Sequence, residues 1–165
     1  HLELIFEESG DAVRRPYSIA CAHDASSPER IELAIACQPG GQASSFVEKL
    51  AAGDRLLVEG PFGGFPRRPD PLRPLVLIAG GTGYAPLRAL LQVELSRDPN
   101  RSAHVLLGSG TLDDMPWASE LHAGFGARVR CRSFFSSPPL VRSRELFLHS
   151  IVMLFPRKRS STSGP

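Results

Sequence analysis

Apolar and polar residues alternate over the first third of the chain and give way to continuous apolar runs in the second. Leu2, Leu4 and Phe6 alternate with Glu3 and Glu7, and Ile31, Leu33 and Ile35 alternate with Glu32, Ala34 and Ala36. Period two is the mark of a half-buried strand. Arg55–Gly60 predicts another short strand, launched by a turn at Gly53-Asp54. Between them, Ser44–Ala52 predicts a short helix with Ser44 or Ser45 as N-cap and Gly53 as its stop. Short strands punctuated by Gly and Pro suggest a small barrel or sandwich.

The second half has a different grammar. Leu75–Ala79 is an unbroken apolar run, as expected of a strand buried on both faces. Pro86 to about Ser96 predicts a helix, because Leu87, Leu90, Leu91 and Leu95 form one apolar face and Pro suits the first helical turn. His104–Gly108 predicts a second buried strand, Asp113–His122 a second helix and Arg128–Phe135 a third strand. Strand–helix–strand–helix–strand implies a parallel α/β sheet. Residues 61–74 hold five prolines and two glycines. Pro is excluded from helix and sheet interiors, so a domain boundary is placed there. Leu146–Phe155 is apolar without a clear period. Residues 136–165 read as an atypical, disordered tail, basic over its last residues.

Composition changes this picture little. Apolar residues are 42% and charged residues 22% of the 165, near globular norms. Three cysteines (Cys21, Cys37, Cys131) without CxxC spacing argue against a disulfide framework, an iron–sulfur cluster or a zinc site, and no metal is expected. No apolar run reaches the roughly 20 residues of a bilayer span, and no signal-peptide pattern is present, so the cytoplasm is the expected compartment. The net charge of +2 hides an asymmetry: residues 1–132 carry net −2, and the last 33 carry five basic residues against Glu145. The basic character lies in the tail, so a nucleic-acid reading resting on Arg157-Lys158-Arg159 has no basic stripe behind it.

Three segments offer chemistry. In Leu75–Leu87 (LVLIAGGTGYAPL) a strand runs into a glycine-rich turn and a helix start, where backbone N–H groups can approach a phosphate. A plain tight turn explains Gly80, Gly81 and Gly83 equally well. The spacing is neither GxGxxG nor a P-loop, so it names no ligand. Arg14-Arg15-Pro16-Tyr17-Ser18 could clamp a phosphate and stack on a ring. Alone, it reads more simply as an edge Arg, a packed Tyr and a surface Ser. Gly40-Gly41-Gln42-Ala43-Ser44 is either an anion-binding helix start or a turn with a cap.

Taken in order, Arg15-x-Tyr17-Ser18, Gly40-Gly41-x-x-Ser44, Gly60-Pro61-Phe62-Gly63 and Ala79-Gly80-Gly81-Thr82-Gly83-x-Ala85-Pro86 resemble the ferredoxin–NADP reductase superfamily over about residues 2–135. The nearest likeness is to bacterial flavin-dependent NAD(P)H reductases that feed oxygenases, reduce flavins or reduce ferredoxin-like partners. The resemblance implies an antiparallel Greek-key flavin barrel over residues 1–66 and a Rossmann-like nucleotide-binding α/β domain over 67–135. It also implies FAD, with FMN the alternative, and NADH or NADPH as reductant. Arg15 would bind the flavin pyrophosphate beside Pro16. Tyr17 would pack on the isoalloxazine ring and Ser18 sit near its N5. Gly40, Gly41 and Ser44 would hold the pyrophosphate. Gly80, Gly81, Thr82, Gly83 and Pro86 would receive the nicotinamide nucleotide, with Thr82 at the junction. Tyr17, Ser18 and Thr82 are thus the expected catalytic residues. The expected function is hydride transfer from NAD(P)H to FAD and electron transfer onward to an acceptor protein or small molecule. No acid–base dyad is needed, and none is visible around His23, His104, His122 or His149.

Three departures accompany the likeness. The chain starts at a strand that earlier barrel strands usually precede. Gly108-Ser109-Gly110 has glycine where the family often has Gly-x-Arg. Nothing after Phe135 matches, so the nucleotide domain is expected to be truncated. A flavin- or nucleotide-binding fragment without turnover is therefore the alternative expectation.

Overall fold

The computed structural model describes residues 1–8, 10–24, 26, 30–64, 73–123, 126–136 and 147–154. Much of the proline-rich segment, residues 65–72, lies outside them.

The first half is built from antiparallel strands. β1 (Leu2–Glu8) pairs antiparallel with β2 (Asp11–Tyr17) and, on its other edge, with β4 (Leu57–Glu59). β3 (Arg30–Cys37) belongs to a second sheet, tied to the end of the β2 segment by a bridge from Ile19 to Leu33. Alternation decides what lies inside: Leu2 and Leu4 from β1 meet Leu33, Ile35 and Cys37 from β3 in one buried cluster. Val47, from the short helix α1 (Gln42–Val47), joins the same cluster. Two sheets around one core make a partial barrel. Phe6, at the far end of β1, stacks on Phe46 with centroids 4.5 Å apart.

The second half is a parallel sheet in the order β5 (Leu75–Gly80), β6 (Ala103–Ser109), β7 (Val129–Phe135). Helix α2 (Tyr84–Arg97) follows a single 3₁₀ turn at Gly81–Gly83, and α3 (Ala118–Ala123) precedes β7. Leu87, Leu91 and Leu95 of α2 pack on Leu77, Val105 and Leu107 of the sheet. Antiparallel barrel strands followed by a parallel α/β sheet are the expected fold class.

Several local expectations are corrected. β5 is buried on one face only: Leu77 is 4% exposed, while Val76 and Ile78 are 58% and 70% exposed. His104 and Leu106 continue that open face, because they stand opposite Val76 and Ile78 in the ladder. A continuous apolar run thus marks a strand with apolar residues on both faces, not one covered on both. α1 starts two residues earlier than its pattern suggests and ends at Val47. Its N-cap is Gly41, not Ser44 or Ser45. The helix expected over Asp113–His122 is confined to Ala118–Ala123, because Thr111 bonds Asp114 through both its backbone N–H and its hydroxyl and holds a turn there instead.

The largest difference is near the end of the chain. Phe147–Leu154, read as lacking a clear period and as part of a disordered tail, instead forms strand β8, antiparallel to β3 from Arg30↔Leu154 to Cys37↔Phe147. An eight-residue apolar segment with Ile, Val and Phe needs no alternation to pair along an open edge. The rest of the expected disordered tail, residues 137–146 and 155–165, lies outside the described residues.

Candidate functional site

The two halves meet around a cavity of about 270 Å³ lined by Pro16, Tyr17, Ser18, Ala34, Ala36, Thr82 and Ala85. Each wall follows from local structure. Arg15 and Tyr17 stand opposite Leu4 and Leu2, so they share the inward face of the β1–β2 ribbon, whereas Arg14 stands opposite Ile5 on the outer face. Ala34 and Ala36 alternate along β3, and their small side chains leave a flat floor. Thr82 lies within the 3₁₀ turn between β5 and α2, and Ala85 is on the first turn of α2.

Arg15 and Arg14 have different partners. The Arg15 guanidinium donates to Gln42 Oε1 at 3.2 Å and to the Arg14 carbonyl at 2.9 Å, which places it at the start of α1 beside Gly40 and Gly41. Arg14 forms a forked pair with Glu59 at 2.6 and 3.1 Å and reaches Glu3 at 3.4 Å. The bond to Arg14 holds the Glu59 carboxyl below its usual range. Arg14 is thus engaged on the outside of the sheet, and Arg15 on the side of the glycine turn.

That turn is held from behind. The Gln38 backbone N–H donates to Ser44 Oγ at 2.7 Å, and the Gly41 N–H donates to the Gln38 carbonyl at 3.0 Å. Ser44 is buried, so its hydroxyl shapes the loop from inside. A Cβ on Gly41 would stand 2.9 Å from that hydroxyl and 3.2 Å from the Gln38 carbonyl, so the turn requires glycine there. The second glycine turn has another reason. Gly81 has φ +49°, in the left-handed region, although a Cβ there would meet open space.

Burial, and then the neighbouring Cys37, raise the pKa of Tyr17, so its phenol stays a neutral hydrogen-bond donor through the physiological range. Among the described residues, no group of three His, Cys, Asp or Glu side chains could hold a metal ion. No helix among them is long and apolar enough to cross a membrane.

Residues 1–66 match the family described as the oxidoreductase FAD-binding domain. The chain is 34% identical over 122 residues to ferredoxin–NADP reductase B of Sorangium cellulosum, covering 74% of this chain and 49% of that protein. It is 38% identical over 136 residues to the reductase subunit of an aromatic O-demethylase of Amycolatopsis, covering 76% and 40%. The crystal structure of the Amycolatopsis cytochrome P450 reductase GcoB superimposes with a TM-score of 0.65 at 32% identity, covering 88% of this chain and 45% of that one. The chain belongs to the ferredoxin–NADP reductase superfamily. It spans half or less of the length of these relatives.

Within this superfamily fold, the cavity unites four of the residues singled out in the sequence: Pro16, Tyr17, Ser18 and Thr82. Gly40, Gly41, Ser44 and Arg15 form a second group at the start of α1. Gly80, Gly81, Gly83 and Pro86 flank Thr82 without lining the cavity. Pattern reading missed Ala34, Ala36 and Ala85, which line the cavity because they are small. The spacing of Ala34 and Ala36 on a period-two strand was the available signal. It also missed the buried pair of Arg88 with Glu32, which no local pattern marks.

Proposed function

We propose that the chain binds FAD along the barrel half and NAD(P)H at the Gly80–Gly83 turn, as the hydride-transferring part of a reductase that passes electrons to a separate acceptor protein. The cavity carries this reading: it brings Tyr17 and Ser18 of one half to Thr82 and Ala85 of the other across one shared space. The residues present fit the group. Alanine and proline walls admit a planar ring system, Tyr17 offers a ring face, and Arg15 stands at a glycine turn open to a phosphate.

FAD held there would supply a two-electron centre able to accept a hydride from NAD(P)H and to pass electrons on to the acceptor. The chain's own residues bind and align. Arg15 neutralises a phosphate, and the Gly40 backbone N–H approaches it where no side chain intervenes, the Gly41 N–H being engaged by the Gln38 carbonyl. Tyr17 packs on the ring, and the Ser18 hydroxyl is a hydrogen-bonding neighbour for the reacting edge. Thr82 positions the nicotinamide over it. Such alignment of two reactants is worth several kcal/mol of barrier without acid–base help, on the order of 7–11 at best. The names of the relatives, a ferredoxin–NADP reductase and an O-demethylase reductase subunit, support an iron–sulfur or oxygenase partner as acceptor.

The test is anaerobic titration of the FAD-reconstituted chain with NADH and with NADPH. Bleaching of the flavin absorbance by at least one of them is the expected result. A yellow protein that neither nucleotide bleaches would leave only a binding fragment.

A further inference from the structure

The face that α2 turns toward the barrel half is not apolar. Ala85, Arg88 and Gln92 lie at i, i+3 and i+7, one stripe of the helix. Ala85 lines the cavity. One turn on, Arg88 is 7% exposed, and its guanidinium donates to the Ala20 carbonyl at 2.7 Å and to Glu32 Oε2 at 2.9 Å, both in the barrel half. The same guanidinium donates to Glu120 Oε2 on α3 at 2.8 Å and lies 4.6 Å above the ring of Trp117. One turn further, Gln92 Oε1 accepts from the Ala22 backbone N–H at 2.8 Å.

The barrel half offers a matching stripe. Glu32, Ala34 and Ala36 alternate on one face of β3, and the last two line the cavity. Glu32, itself 7% exposed, also pairs with Arg30 on its own strand. Between the stripes, among the described residues, the buried apolar cluster is small: Ala20, Ala34 and Ala85, with Trp117 against them. The larger clusters lie apart, one in each half. Beside this small cluster stand the directional bonds of Arg88 and Gln92.

We infer that Arg88 is a positioning residue: with Glu32, Glu120 and Gln92 it clasps α2 to β3 and so fixes the gap across which Thr82 faces Tyr17 and Ser18. This rests on the function proposed above. The chemistry is suited to it. A planar fork with five donors fixes orientation as well as distance, unlike an ammonium group. Burial lowers the affinity of Arg88 for its proton, but the bond to Glu120 and the charges of Glu120 and Glu32 outweigh this, and the guanidinium stays charged. Enclosed between two carboxylates, Arg88 is engaged in the junction and not offered to a ligand.

The experiment uses Arg88→Met, Arg88→Lys and the milder Glu32→Gln, with two readouts. The first needs no flavin. Trp117 is the chain's one tryptophan, so acrylamide quenching of its fluorescence reports opening of the junction. Glu32→Gln, and Arg88→Met where it folds, are expected to raise the quenching constant about twofold or more as the junction opens locally. Quenching unchanged in both overturns the clasp. The second readout is the single-turnover rate of flavin reduction by NADH beside FAD affinity. FAD affinity is expected to stay within about twofold, and the rate to fall roughly 10- to 100-fold, as a misplacement on the order of 1 Å produces. Arg88→Lys is expected to recover part of the rate. An unchanged rate, or a rate that falls only in step with FAD affinity, overturns the positioning role. Failure of the parent chain to be bleached would instead sink the proposed function, and the quenching result would still decide the clasp.

Discussion

Two neighbouring arginines show how one residue of register separates a guanidinium at the glycine turn from a surface ion pair. Arg15 shares a face with Tyr17 and stands at the start of α1, while Arg14 faces outward to Glu59 and Glu3. A charge-assisted phosphate contact contributes roughly 1.5–3 kcal/mol. Arg15→Ala should therefore raise the FAD dissociation constant roughly 10- to 150-fold. Arg14→Ala removes an exposed pair and should change FAD affinity by less than about twofold. Fluorescence titration of both variants checks this, and equal losses would mean that the register carries no meaning. Gly81 gives a second prediction. Its φ of +49° suits glycine, so Gly81→Val strains the turn by roughly 1–3 kcal/mol and displaces Thr82. NADH affinity should fall while FAD stays bound, because the FAD-side residues lie in the other half. Nucleotide titrations equal to those of the parent chain would refute it. These residues were legible in the sequence because short-range rules fix them: a turn that needs glycine, and an alternation that sorts Arg15 from Arg14. The burial of Ser44 was not legible, since its partner is the Gln38 backbone N–H on the preceding loop.

At the scale of elements, α2 serves two neighbours with two stripes. Leu87, Leu91 and Leu95 face the parallel sheet, and Ala85, Arg88 and Gln92 face the barrel half. Only the first stripe could be read from hydrophobic spacing. A charged residue on the remaining surface of a helix is ordinarily solvated, and the two carboxylates that bury Arg88 come from β3 and α3, far along the chain. β5 shows the opposite failure. Its run of apolar residues conceals that Leu77 faces α2 while Ile78 faces outward. Leu77→Ala should cost about 2–5 kcal/mol in urea melts, the usual range for truncating a core leucine. Ile78→Thr should cost less than about 0.5 kcal/mol. A large loss at Ile78 would show that the open face is covered in solution. β8 escaped the pattern because β3, its partner, lies more than a hundred residues earlier.

For the whole molecule, what matters is that neither half contains the cavity alone. The family match over residues 1–66 accounts for the barrel half. The buried leucines of α2 account for the other, and each has its own core. What joins them is a small set of alanines and a buried ionic cluster, so the alignment of Tyr17, Ser18 and Thr82 is a property of the assembled molecule. On the function proposed above, nicotinamide and flavin meet directly in this cavity. The most direct test is the deuterium isotope effect on anaerobic single-turnover bleaching of the FAD-loaded chain, with NADH labelled separately at each of its two C4 positions. Direct transfer in a fixed geometry predicts a clear slowing for one labelled position and none of comparable size for the other. Equal rates with both labelled forms and unlabelled NADH, measured under conditions where bleaching follows the chemical step, would contradict it.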